Sequence, residues 1–417
     1  MRELVSVILA AGLGTRMKSD LPKVLHKICG KPMLGYLLDI TRTLKLAKTI
    51  VVAFYKAELI EQYVAGTAKV VRQAKPQGTA DAVKSAKRHF ADSKGDVLVL
   101  YADTPLISGK TLKKLILKHD KSGAACTLLT AALQNPFGYG RIIKDSGGNV
   151  IKIVEEKDAN PQQRDINEVN VGVYCFKAKA LLDALDKIKP DNKKKEYYLT
   201  DVISILSGEG EKIGSIQASD SDEFLGINSR KDLVQAQNIV RFKIMDKFMA
   251  DGVTIVDPAS TYIENNVKIG RDTIINPMTV IEHDVSIGRK CVVGPFARLR
   301  PGTVLKDGAQ VGNFVETVRS IIGEGSKAKH LTYLGDVTIG RKVNVGAGTI
   351  VANYDGKQKQ RSSVKDGAFI GSGTILVSPV KIGKEAITGA GAVVTKNKNV
   401  PDKGVVVGIP ARLLKKQ

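Results

Sequence analysis

The second half of the chain carries an apolar residue at every sixth position. The first run contains nine successive aliphatic residues in one phase, and four of them are followed directly by glycine. The same spacing returns twice further along the chain. The repeating positions are Ile263, Ile269, Ile275, Ile281, Ile287, Val293, Leu299, Leu305 and Val311, then Ile339, Val345 and Val351, then Val364, Ile370, Leu376, Ile382 and Val394.

A period of six fits neither an α-helix nor a single strand, whose side chains repeat about every 3.6 and every 2 residues. It is typical of a parallel β-helix, in which each hexapeptide forms one short strand with its aliphatic side chain pointing inward. Stacked coils bury these side chains in one continuous core. The repeat therefore predicts a parallel β-helix beyond Gly252.

The repeat is interrupted twice, and such interruptions usually form loops on the working face of the molecule. Residues 313–333 lose the strict phase, and residues 353–362, NYDGKQKQRS, form a polar insertion between hexapeptides. His330 is the only one of the five histidines that lies in an interruption. We expect loops at both places and a functional role for His330. A β-helix that only holds an assembly together is the alternative interpretation.

The first half begins with an apolar strand that runs into a glycine turn. Residues 4–10 are rich in aliphatic and β-branched side chains, which indicates a strand covered on both faces in a parallel sheet. Gly12 and Gly14 allow a tight turn, and the backbone N–H groups of such a turn can bind phosphate oxygens. Many turns of this kind use glycine for geometry alone. Arg16 and Lys23 nearby add positive charge, which favours phosphate binding.

Strand and helix patterns alternate through the rest of this half, which predicts a mostly parallel, doubly wound α/β domain of Rossmann-like type. Ligands of such sheets bind at the carboxyl ends of the strands, and Asp103 directly follows one predicted strand. There its carboxylate can either bind Mg²⁺ or cap the following helix. We predict strands at 48–54, 96–101 and 125–133, and helices at 33–46 and 80–90.

A chain of 417 residues is too long for one ordinary core, and the change of period divides it into domains. Residues 229–251 contain no glycine and have apolar residues at helical spacing, which predicts a linker helix. We therefore predict an α/β domain at 1–228, a linker helix at 229–251 and a β-helix domain at 252–417. No segment has the ~20 consecutive apolar residues of a membrane span.

Composition argues against several classes of function. The formal net charge of +22 favours phosphorylated ligands, but the lysines are spread along the chain and aromatic residues make up only 5%. Specific nucleic-acid binding is therefore not expected. The four cysteines, Cys29, Cys126, Cys175 and Cys291, have neither metal-binding nor disulfide spacing. They fit a reducing compartment, so we predict a cytoplasmic protein with buried thiols.

The motifs of the first half resemble the signature of sugar-nucleotide pyrophosphorylases. Residues 9–23, LAAGLGTRMKSDLPK, carry the resemblance and form neither a Walker A loop nor a dinucleotide-binding motif. Together with the motifs that follow, the chain resembles the bifunctional N-acetylglucosamine-1-phosphate uridylyltransferase/glucosamine-1-phosphate acetyltransferase family along almost its whole length. These motifs are QGT at 77–79, GYGR at 138–141, EVNVGVY at 168–174, EYYLTD at 196–201, GINSR at 226–230 and KHLTYLGD at 329–336.

For the first half, the resemblance implies uridylyl transfer from UTP with the help of Mg²⁺. It implies that Lys23 and Arg16 neutralise the phosphates of UTP and that Asp103 and Asn228 bind the metal ion. The residues implied for the nucleotide are Leu9, Ala10, Ala11, Gly12, Lys23, Gln73, Gly78 and Thr79, and those for the sugar are Gly140, Glu155, Asn170 and Asn228.

For the second half, the resemblance implies a left-handed β-helix that forms a homotrimer and binds acetyl-CoA between subunits. It implies that His330 is the general base, which takes a proton from the 2-amino group of glucosamine-1-phosphate. An imidazole suits this task because it titrates near neutral pH. The residues implied for the sugar phosphate are Arg300, Tyr333, Asn344 and Lys359, and those for acetyl-CoA are Ala347, Asn353, Tyr354, Ser372 and Ala390.

The sequence departs from this family at three points. The β-helix is about two coils short before Gly294, and the C-terminal residues 405–417 lack the family's arginine that touches coenzyme A. Val318 stands where the family has a lysine that meets the sugar phosphate, and Arg319 follows it. If residue 318 lies in a strand, the two side chains point oppositely, so Arg319 does not replace the lysine. A different amino sugar phosphate as acceptor, or a β-helix that serves only trimerisation, remains an alternative.

Overall fold

The computed structural model of the protein describes residues 3–91 and 95–414. The chain forms two compact units, Met1–Gln237 and Asn238–Gln417. The division falls within one long helix, Arg230–Ala250, which occupies nearly all of the predicted linker. Residues 415–417, the end of the predicted β-helix domain, lie outside the described residues.

The first unit combines a large sheet with helices. Short 3-10 turns lie at Thr15–Met17, Lys23–Leu25, Lys87–His89 and Ser221–Phe224. The strands are β1 Leu4–Ala10, β2 Lys27–Ile28, β3 Lys31–Pro32, β4 Lys48–Ala53, β5 Lys69–Arg72, β6 Asp96–Tyr101, β7 Cys126–Ala132, β8 Arg141–Lys144, β9 Val150–Val154, β10 Glu168–Lys177 and β11 Ile213–Gln217. The helices are α1 Met33–Thr43, α2 Ala57–Val64, α3 Thr79–Ser85, α4 Gly109–Ser122, α5 Pro161–Arg164, α6 Ala178–Leu185, α7 Asp201–Gly208 and α8 Arg230–Ala250.

The main sheet has the strand order β11-β7-β10-β6-β1-β4-β5, with β8 paired to both β10 and β9. β1 runs parallel to β4 and β6, whereas β10 runs antiparallel to β6 and β7. Side chains of β1 enter two cores alternately, with Val5, Val7 and Leu9 on one side and Ile8 and Ala10 on the other. This burial on both faces explains the nearly continuous apolar sequence. The predicted α/β fold is confirmed.

The predicted strands of this unit are confirmed, and each observed strand lies within one residue of the predicted bounds. The predicted helix at 33–46 ends at Thr43. The prediction of a helix at 80–90 was wrong in length, because α3 ends at Ser85 and a 3-10 turn follows. Helical spacing of Ala86 and Phe90 favoured a longer helix, but the tighter turn also buries both side chains.

The second unit consists of strands mostly two or three residues long. In chain order they are β12 Thr254–Ile255, β13 Tyr262–Ile263, β14 Lys268–Ile269, β15 Ile274–Ile275, β16 Val280–Ile281, β17 Ser286–Ile287, β18 Val292–Val293, β19 Arg298–Leu299, β20 Val304–Leu305, β21 Gln310–Asn313, β22 Glu316–Val318, β23 Ile321–Ile322, β24 Lys327–His330, β25 Tyr333–Gly335, β26 Val337–Ile339, β27 Asn344–Val345, β28 Ile350–Ala352, β29 Ser362–Val364, β30 Phe369–Ile370, β31 Ile375–Val377, β32 Lys381–Ile382, β33 Ile387–Thr388, β34 Val393–Val394, β35 Val405–Val407 and β36 Arg412–Leu413.

From β12 to β31, each of these strands pairs with the strand three places further along the chain, so that coil stacks upon coil. The pairing produces three flat faces. Face 1 runs from β12 through β15, β18, β21, β24, β27, β30 and β33 to β35 and β36; face 2 runs from β13 through β16, β19, β22, β25, β28 and β31 to β34; face 3 runs from β14 through β17, β20, β23, β26 and β29 to β32. The predicted left-handed parallel β-helix is confirmed as the fold class.

The repeat positions form the interior of this β-helix. All of them are buried except Ile269, which is partly buried and packs against the same core. Full burial of one such aliphatic side chain stabilises a fold by roughly 1.5–3 kcal/mol. The hexapeptide period is therefore the sequence signature of one continuous column of buried side chains.

The expectation of a loop at 313–333 was wrong, because strands β21 to β25 continue the β-helix through this segment. Thr317 pairs in register with Leu299 and is fully buried, so it takes an inward position. Ala328 does the same in β24. The phase shifts because the step from Thr317 to Ile322 has five residues instead of six, which shortens one corner of the coil.

The insertion predicted at 353–362 is confirmed as a loop between β28 and β29. A β-bridge between Tyr354 and Lys359 joins its two halves. Its backbone also closes on itself, since the N–H of Gln360 donates to the carbonyl oxygen of Asn353 at 2.7 Å. The insertion is therefore a folded excursion from a coil that is otherwise continuous.

The cysteines are core thiols, as predicted. All four are buried, and none of them forms a disulfide. Burial raises the pKa of the Cys126 and Cys175 thiols well above the ordinary value, so they stay protonated and unreactive. In the described part of the chain, no helix is long and apolar enough to cross a bilayer.

Candidate functional site

The chain leaves β1 through an exposed glycine turn. Nothing lies within 4 Å of the point where a side chain on Gly12 would begin, so a ligand can approach this backbone directly. Gly14 has a φ of 64°, and a side chain there would lie 2.8 Å from Cβ of Lys23. Glycine at position 14 thus suits both the backbone conformation and the close packing on Lys23. Arg16 lies exposed in the following 3-10 turn.

Three predicted residues from distant parts of the sequence meet beside this turn. Lys23 Nζ donates to Asp103 Oδ2 at 2.8 Å and to Asn228 Oδ1 at 3.1 Å. The backbone around Asn228 is fixed by two further hydrogen bonds. The N–H of Ile227 donates to the carbonyl oxygen of Asp103 at 2.8 Å, and Asp232 accepts from the N–H of Asn228 at 2.9 Å. An ammonium group, a carboxylate and an amide oxygen are thus held together at the carboxyl end of β6.

The predicted nucleotide residues of the 73–79 segment are supported by the EYYLTD run. Thr79 Oγ1 accepts from a backbone N–H of that run at 2.9 Å. A side chain on Gly78 would clash with the backbone of Tyr197. The buried amide of Gln73 donates to Asp81 Oδ2 at 2.6 Å, so its nitrogen is already engaged.

Gly140, Glu155 and Asn170 form a second group in this unit. The carbonyl oxygen of Gly140 accepts from the N–H of Asn170 at 2.8 Å, and a side chain on Gly140 would lie 3.7 Å from the carboxyl carbon of Glu155. Asn170 Nδ2 donates to the Tyr174 hydroxyl at 2.7 Å. Thr200 Oγ1 donates to Glu155 Oε1 at 3.1 Å. Burial raises the pKa of Glu155, and the Thr200 hydrogen bond opposes this effect.

Tyr101, the last residue of β6, is a site residue that the sequence reasoning missed. Its ring packs so closely on Gly172, where φ is 79°, that any side chain at Gly172 would clash. Burial raises the pKa of the Tyr101 phenol, and the negative charge of Glu155 adds to the effect. A hydrogen bond to Thr79 opposes both. Tyr101 therefore lies between the nucleotide segment and the Glu155 group. The available signal was a tyrosine at the end of an otherwise aliphatic strand.

In the second unit, His330 begins a column of predicted residues along the corner between faces 1 and 2. It lies two residues beyond the inward Ala328. The strand registers put Ala347, Ser372 and Ala390 at the same position in the next three coils. Neighbouring coils are about 4.8 Å apart, so the column from His330 to Ala390 is roughly 14 Å long. We call these four residues the His330 column.

In each coil, the residue directly after this corner position belongs to a second column. The side chains of this second column differ on the two sides of His330. Toward the N-terminus it holds large apolar side chains in a positive-φ backbone, and these are between 47% and 63% exposed. Toward the C-terminus it holds glycines, so the corner there is open to an extended ligand. The apolar members, here called the apolar strip, are Met278, Phe296, Phe314 and Leu331; the glycines are Gly348, Gly373 and Gly391.

Arg300 and Val318 lie next to each other on the outer side of face 2. Arg300 Nη1 donates to Glu316 Oε1 at 2.7 Å, while its Nε is buried without a hydrogen-bond partner among the described residues. Val318 is 3% exposed, so the place of the family's lysine is apolar here. Tyr333 pairs in register with Glu316 on the same face, whereas Asn344 lies on face 1.

The structure places Asn353, Tyr354 and Lys359 at the corner between faces 2 and 3, one corner away from the His330 column. Asn353 is buried, whereas Tyr354 and Lys359 are exposed. Together with Arg300 and Tyr333 on face 2 and Asn344 on face 1, the predicted acetyl-transfer residues are therefore spread over two corners and two faces of one chain. Strand pairing alone does not gather them into one pocket.

Arg319 does not lie in a strand, so the predicted alternation of side chains within a strand does not apply to it. β22 ends at Val318, and Arg319 follows in a left-handed backbone with a φ of 48°. Its Nε and Nη2 donate to Oδ1 and Oδ2 of Asp336, each at 2.7 Å. Two nitrogens of the guanidinium are thus engaged within the chain.

Comparison with known proteins identifies the family. Residues 5–238 match the nucleotidyl transferase family, and residues 261–357 match the family described as the GMPPB C-terminal domain. The bifunctional protein GlmU of Pelotomaculum thermopropionicum is 47% identical over 412 residues, which cover 91% of this chain and 90% of that protein. This chain belongs to the GlmU family. The family predicted from the motifs is confirmed.

Other relatives agree over almost the full length of the chain. GlmU of Thermosipho africanus is 45% identical over 97% of this chain and 94% of its own length. GlmU of Geobacillus thermodenitrificans is 43% identical over 97% and 95%, respectively. A crystal structure of UDP-glucose pyrophosphorylase with UDP-glucose covers 58% of this chain and all of its own at a TM-score of 0.50 and 18% identity, which shows a common fold.

The Lys23 cluster yields a first prediction. We expect Asp103→Asn to lower nucleotidyl transfer by roughly 10²-fold, because it removes the carboxylate that holds the Lys23 ammonium in place. Acetyl transfer should not change, since its residues lie in the other unit. Separate assays of the two activities check this. Asp145→Asn, in the exposed β8–β9 turn, is the control, and an equal loss of both activities in Asp103→Asn would contradict the assignment.

Proposed function

We propose that the chain makes UDP-N-acetylglucosamine in two steps at two sites. Acetyl-CoA first acetylates glucosamine-1-phosphate, and UTP then gives its uridylyl group to the product while pyrophosphate leaves. One observation carries the proposal: Lys23, Asp103 and Asn228, predicted for uridylyl transfer, meet in the first unit, and His330, Ala347, Ser372 and Ala390, predicted for acetyl transfer, align in one column in the second. Membership of the GlmU family supports it. The chain is both a nucleotidyltransferase and an N-acetyltransferase.

The domains divide these tasks. Residues 1–228 carry uridylyl transfer, residues 229–251 form the linker helix, and residues 252–417 carry acetyl transfer. The two compact units support this division, although their boundary falls inside the linker.

In uridylyl transfer, the sugar phosphate oxygen attacks the α-phosphorus of UTP in line, and pyrophosphate leaves on the opposite side. The attacking phosphate is already ionised, so no general base is required. The turn from Leu9 to Gly12 binds the phosphates through its N–H groups, and Lys23 and Arg16 neutralise their charge. Positioning and charge neutralisation supply most of the rate.

The oxygen ligands at the Lys23 cluster fit Mg²⁺. Mg²⁺ is commonly held by one or two protein oxygens together with substrate phosphates. Asp103 Oδ2 and Asn228 Oδ1 both lie within 3.1 Å of one cationic atom, Lys23 Nζ, so they already converge on positive charge. We propose that these two residues hold the ion, which supplies charge neutralisation at the triphosphate.

The Glu155 group binds the sugar. The backbone at Gly140 leaves room beside the Glu155 carboxylate and Asn170, which offer an acceptor and an amide to sugar hydroxyls. Tyr101 separates this group from the nucleotide segment. The sugar phosphate therefore approaches the α-phosphorus from the side of β10.

In acetyl transfer, His330 takes a proton from the 2-amino group as the nitrogen attacks the acetyl carbonyl carbon. The C–N bond forms, the C–S bond breaks and the coenzyme A thiolate leaves. The imidazole of His330 is exposed at its corner and thus accessible to the acceptor. Arg300, Tyr333, Asn344 and Lys359 bind the sugar phosphate.

Acetyl-CoA lies along the His330 column. Ala347, Ser372 and Ala390 are small, and the neighbouring glycines leave the corner open over roughly 14 Å. An extended pantetheine chain suits such a shallow, straight channel. Asn353 and Tyr354 bind the same substrate from the insertion.

We infer a homotrimer from the apolar strip. Its four large side chains stand at a corner in backbone with positive φ, where bulky residues are rare, and the rings of Phe296 and Phe314 stack at 5.0 Å. Exposed apolar patches of this kind usually mark an interface. Three copies also explain why the acetyl-transfer residues lie on two corners, because neighbouring chains can bring different corners together.

Val318 favours a second candidate for the acetyl acceptor. The outer side of face 2 beside Arg300 is apolar at the position where the family has a cation. The acceptor would then be a different amino sugar phosphate, which binds with fewer contacts to cationic side chains. The uridylyl step and the fold are the same in both versions.

The remaining features point to a cytoplasmic enzyme of small molecules. Four buried cysteines without a disulfide suit a reducing compartment. The spread of the lysines supports phosphorylated small molecules as ligands and argues against specific nucleic-acid recognition.

We expect His330→Ala to lower kcat for acetyl transfer by roughly 10²–10⁴-fold, the usual contribution of a general base. Uridylyl transfer should be unchanged. His283→Ala, at a half-buried histidine of the β-helix, serves as the control in the same assays. A loss below threefold in His330→Ala would show that this histidine is structural.

The trimer is tested by its mass in solution. Light scattering should give about three times the chain mass of 44.9 kDa, because the apolar strip is buried between copies. The double variant Phe296→Ser and Phe314→Ser should shift the mass toward one chain, whereas Phe137→Ser in the first unit should not. A monomeric mass for the unchanged protein at active concentrations would refute the trimer.

Val318→Lys tests the acceptor. If glucosamine-1-phosphate is the acceptor, the added cation should lower its KM about tenfold, since a charged hydrogen bond contributes roughly 1.5–3 kcal/mol. Steady-state kinetics with a panel of amino sugar phosphates measures this. An unchanged KM, together with better turnover of another amino sugar phosphate by the original protein, favours the second candidate.

A further inference from the structure

Three residues from successive coils form a side-chain ladder at the corner between faces 2 and 3. Arg319, Asp336 and Asn353 occupy the same position in their coils, as the registers of β22, β25 and β28 require. Arg319 forks onto both carboxylate oxygens of Asp336 at 2.7 Å, and Asn353 Nδ2 donates to Oδ2 of the same carboxylate. Asp336 and Asn353 are each 5% exposed, so the carboxylate is buried and depends on these donors.

Asp336 fastens both ends of the insertion at 353–361. Its carboxylate holds Asn353, where the chain leaves β28. Its carbonyl oxygen accepts from the N–H of Ser362 at 3.1 Å, where the chain enters β29. The N–H of Asp336 in turn donates to the carbonyl oxygen of Val318 at 3.0 Å, directly before Arg319. One residue therefore fixes where the insertion begins and where it ends.

We propose that Arg319 is a positioning residue for acetyl transfer, which holds Asp336 and thereby places Tyr354 and Lys359 of the insertion. The inference rests on the proposed acetyl transfer, in which the insertion contacts both substrates. Arg319 acts through Asp336, because its Nε and Nη2 both bind the carboxylate and hold it in one orientation. Without Arg319, a buried carboxylate loses its cation and the ends of the insertion move.

Two other Arg–Asp pairs in the β-helix differ from the Arg319–Asp336 pair in the burial of the carboxylate. Arg289 and Arg341 bind Asp307 and Asp366 through the same pair of nitrogens at 2.8–3.1 Å. Those carboxylates are 45% and 40% exposed, compared with 6% for the side chain of Asp336. Water can replace arginine at the exposed forks but not at the buried one. The hydrogen bonds from Arg319 hold the pKa of Asp336 below its ordinary value against the effect of burial.

The test compares Arg319→Met with Arg341→Met, which removes an exposed fork. In Arg319→Met we expect kcat/KM of acetyl transfer to fall roughly 10²-fold, as misplaced contacts distant from the chemistry can do. Trypsin should cut the insertion after Lys357, Lys359 or Arg361 about tenfold faster, because its ends are released. Uridylyl transfer should stay unchanged. Arg341→Met should alter none of the three rates.

Two further variants protect the test against simple misfolding. Arg319→Lys keeps a positive charge beside Asp336 but cannot fork, so we expect a smaller loss of acetyl transfer and a smaller rise in cleavage. Asp336→Asn removes the charge that Arg319 holds. In that background Arg319→Met should change either rate less than about twofold, since residues that act as a unit are not additive.

Three outcomes would overturn the proposal. A rise in KM for the sugar phosphate without faster cleavage would show that Arg319 touches the substrate. If Arg319→Met and Asp336→Asn lowered acetyl transfer additively, Arg319 would likewise act on the substrate and not through Asp336. Faster cleavage with normal acetyl transfer would show that the ladder fastens the insertion without positioning its residues. Absence of acetyl transfer in the unchanged protein would refute the proposed function instead, and the cleavage rates would still test the ladder.

Discussion

Burial of one aliphatic side chain per short strand is the interaction on which the second unit depends. A single coil cannot bury its own interior, so each coil is stable only against its neighbours. The interior therefore tolerates little change, whereas the corners face solvent and can vary. This explains why Thr317 and Ala328 still point inward where the period shifts, and why the His330 column, the apolar strip and the insertion all lie at corners.

In the first unit, the fold brings charged groups from distant segments of the chain close together. Its central parallel strands end at one edge of the sheet, so the turns that follow them meet there. Lys23 is held between a carboxylate and an amide oxygen from two such segments. A site arranged in this way already balances charge in the folded protein, and the cost of orienting its groups is met by the fold.

In both units, buried polar contacts hold the predicted functional segments in place. The free-energy cost of burying the polar groups differs between the two units. The EYYLTD run supports the nucleotide segment through neutral hydrogen bonds at Thr79. The insertion instead depends on a buried carboxylate at Asp336, which is costly to bury unless arginine accompanies it. Loss of a neutral contact weakens a segment slightly, whereas loss of Arg319 leaves an uncompensated charge. The corner that carries the insertion therefore depends more strongly on a single residue.

The sequence by itself determined the β-helix, because a six-residue period has one stable way to bury its aliphatic residues. It also determined the central strands, since a continuous apolar run between glycine turns has few alternatives. The local motifs identified the family, and they supplied the candidate site residues. Only the tertiary structure decided the continuity of 313–333, the early end of α3 and the place of Tyr101. These three features depend on which residues from distant segments pack together, and local periodicity does not predict such contacts. The same reason applies to Arg319. Its position after Val318 predicted the direction of its side chain, but strand register determines its partner Asp336, which lies one coil away.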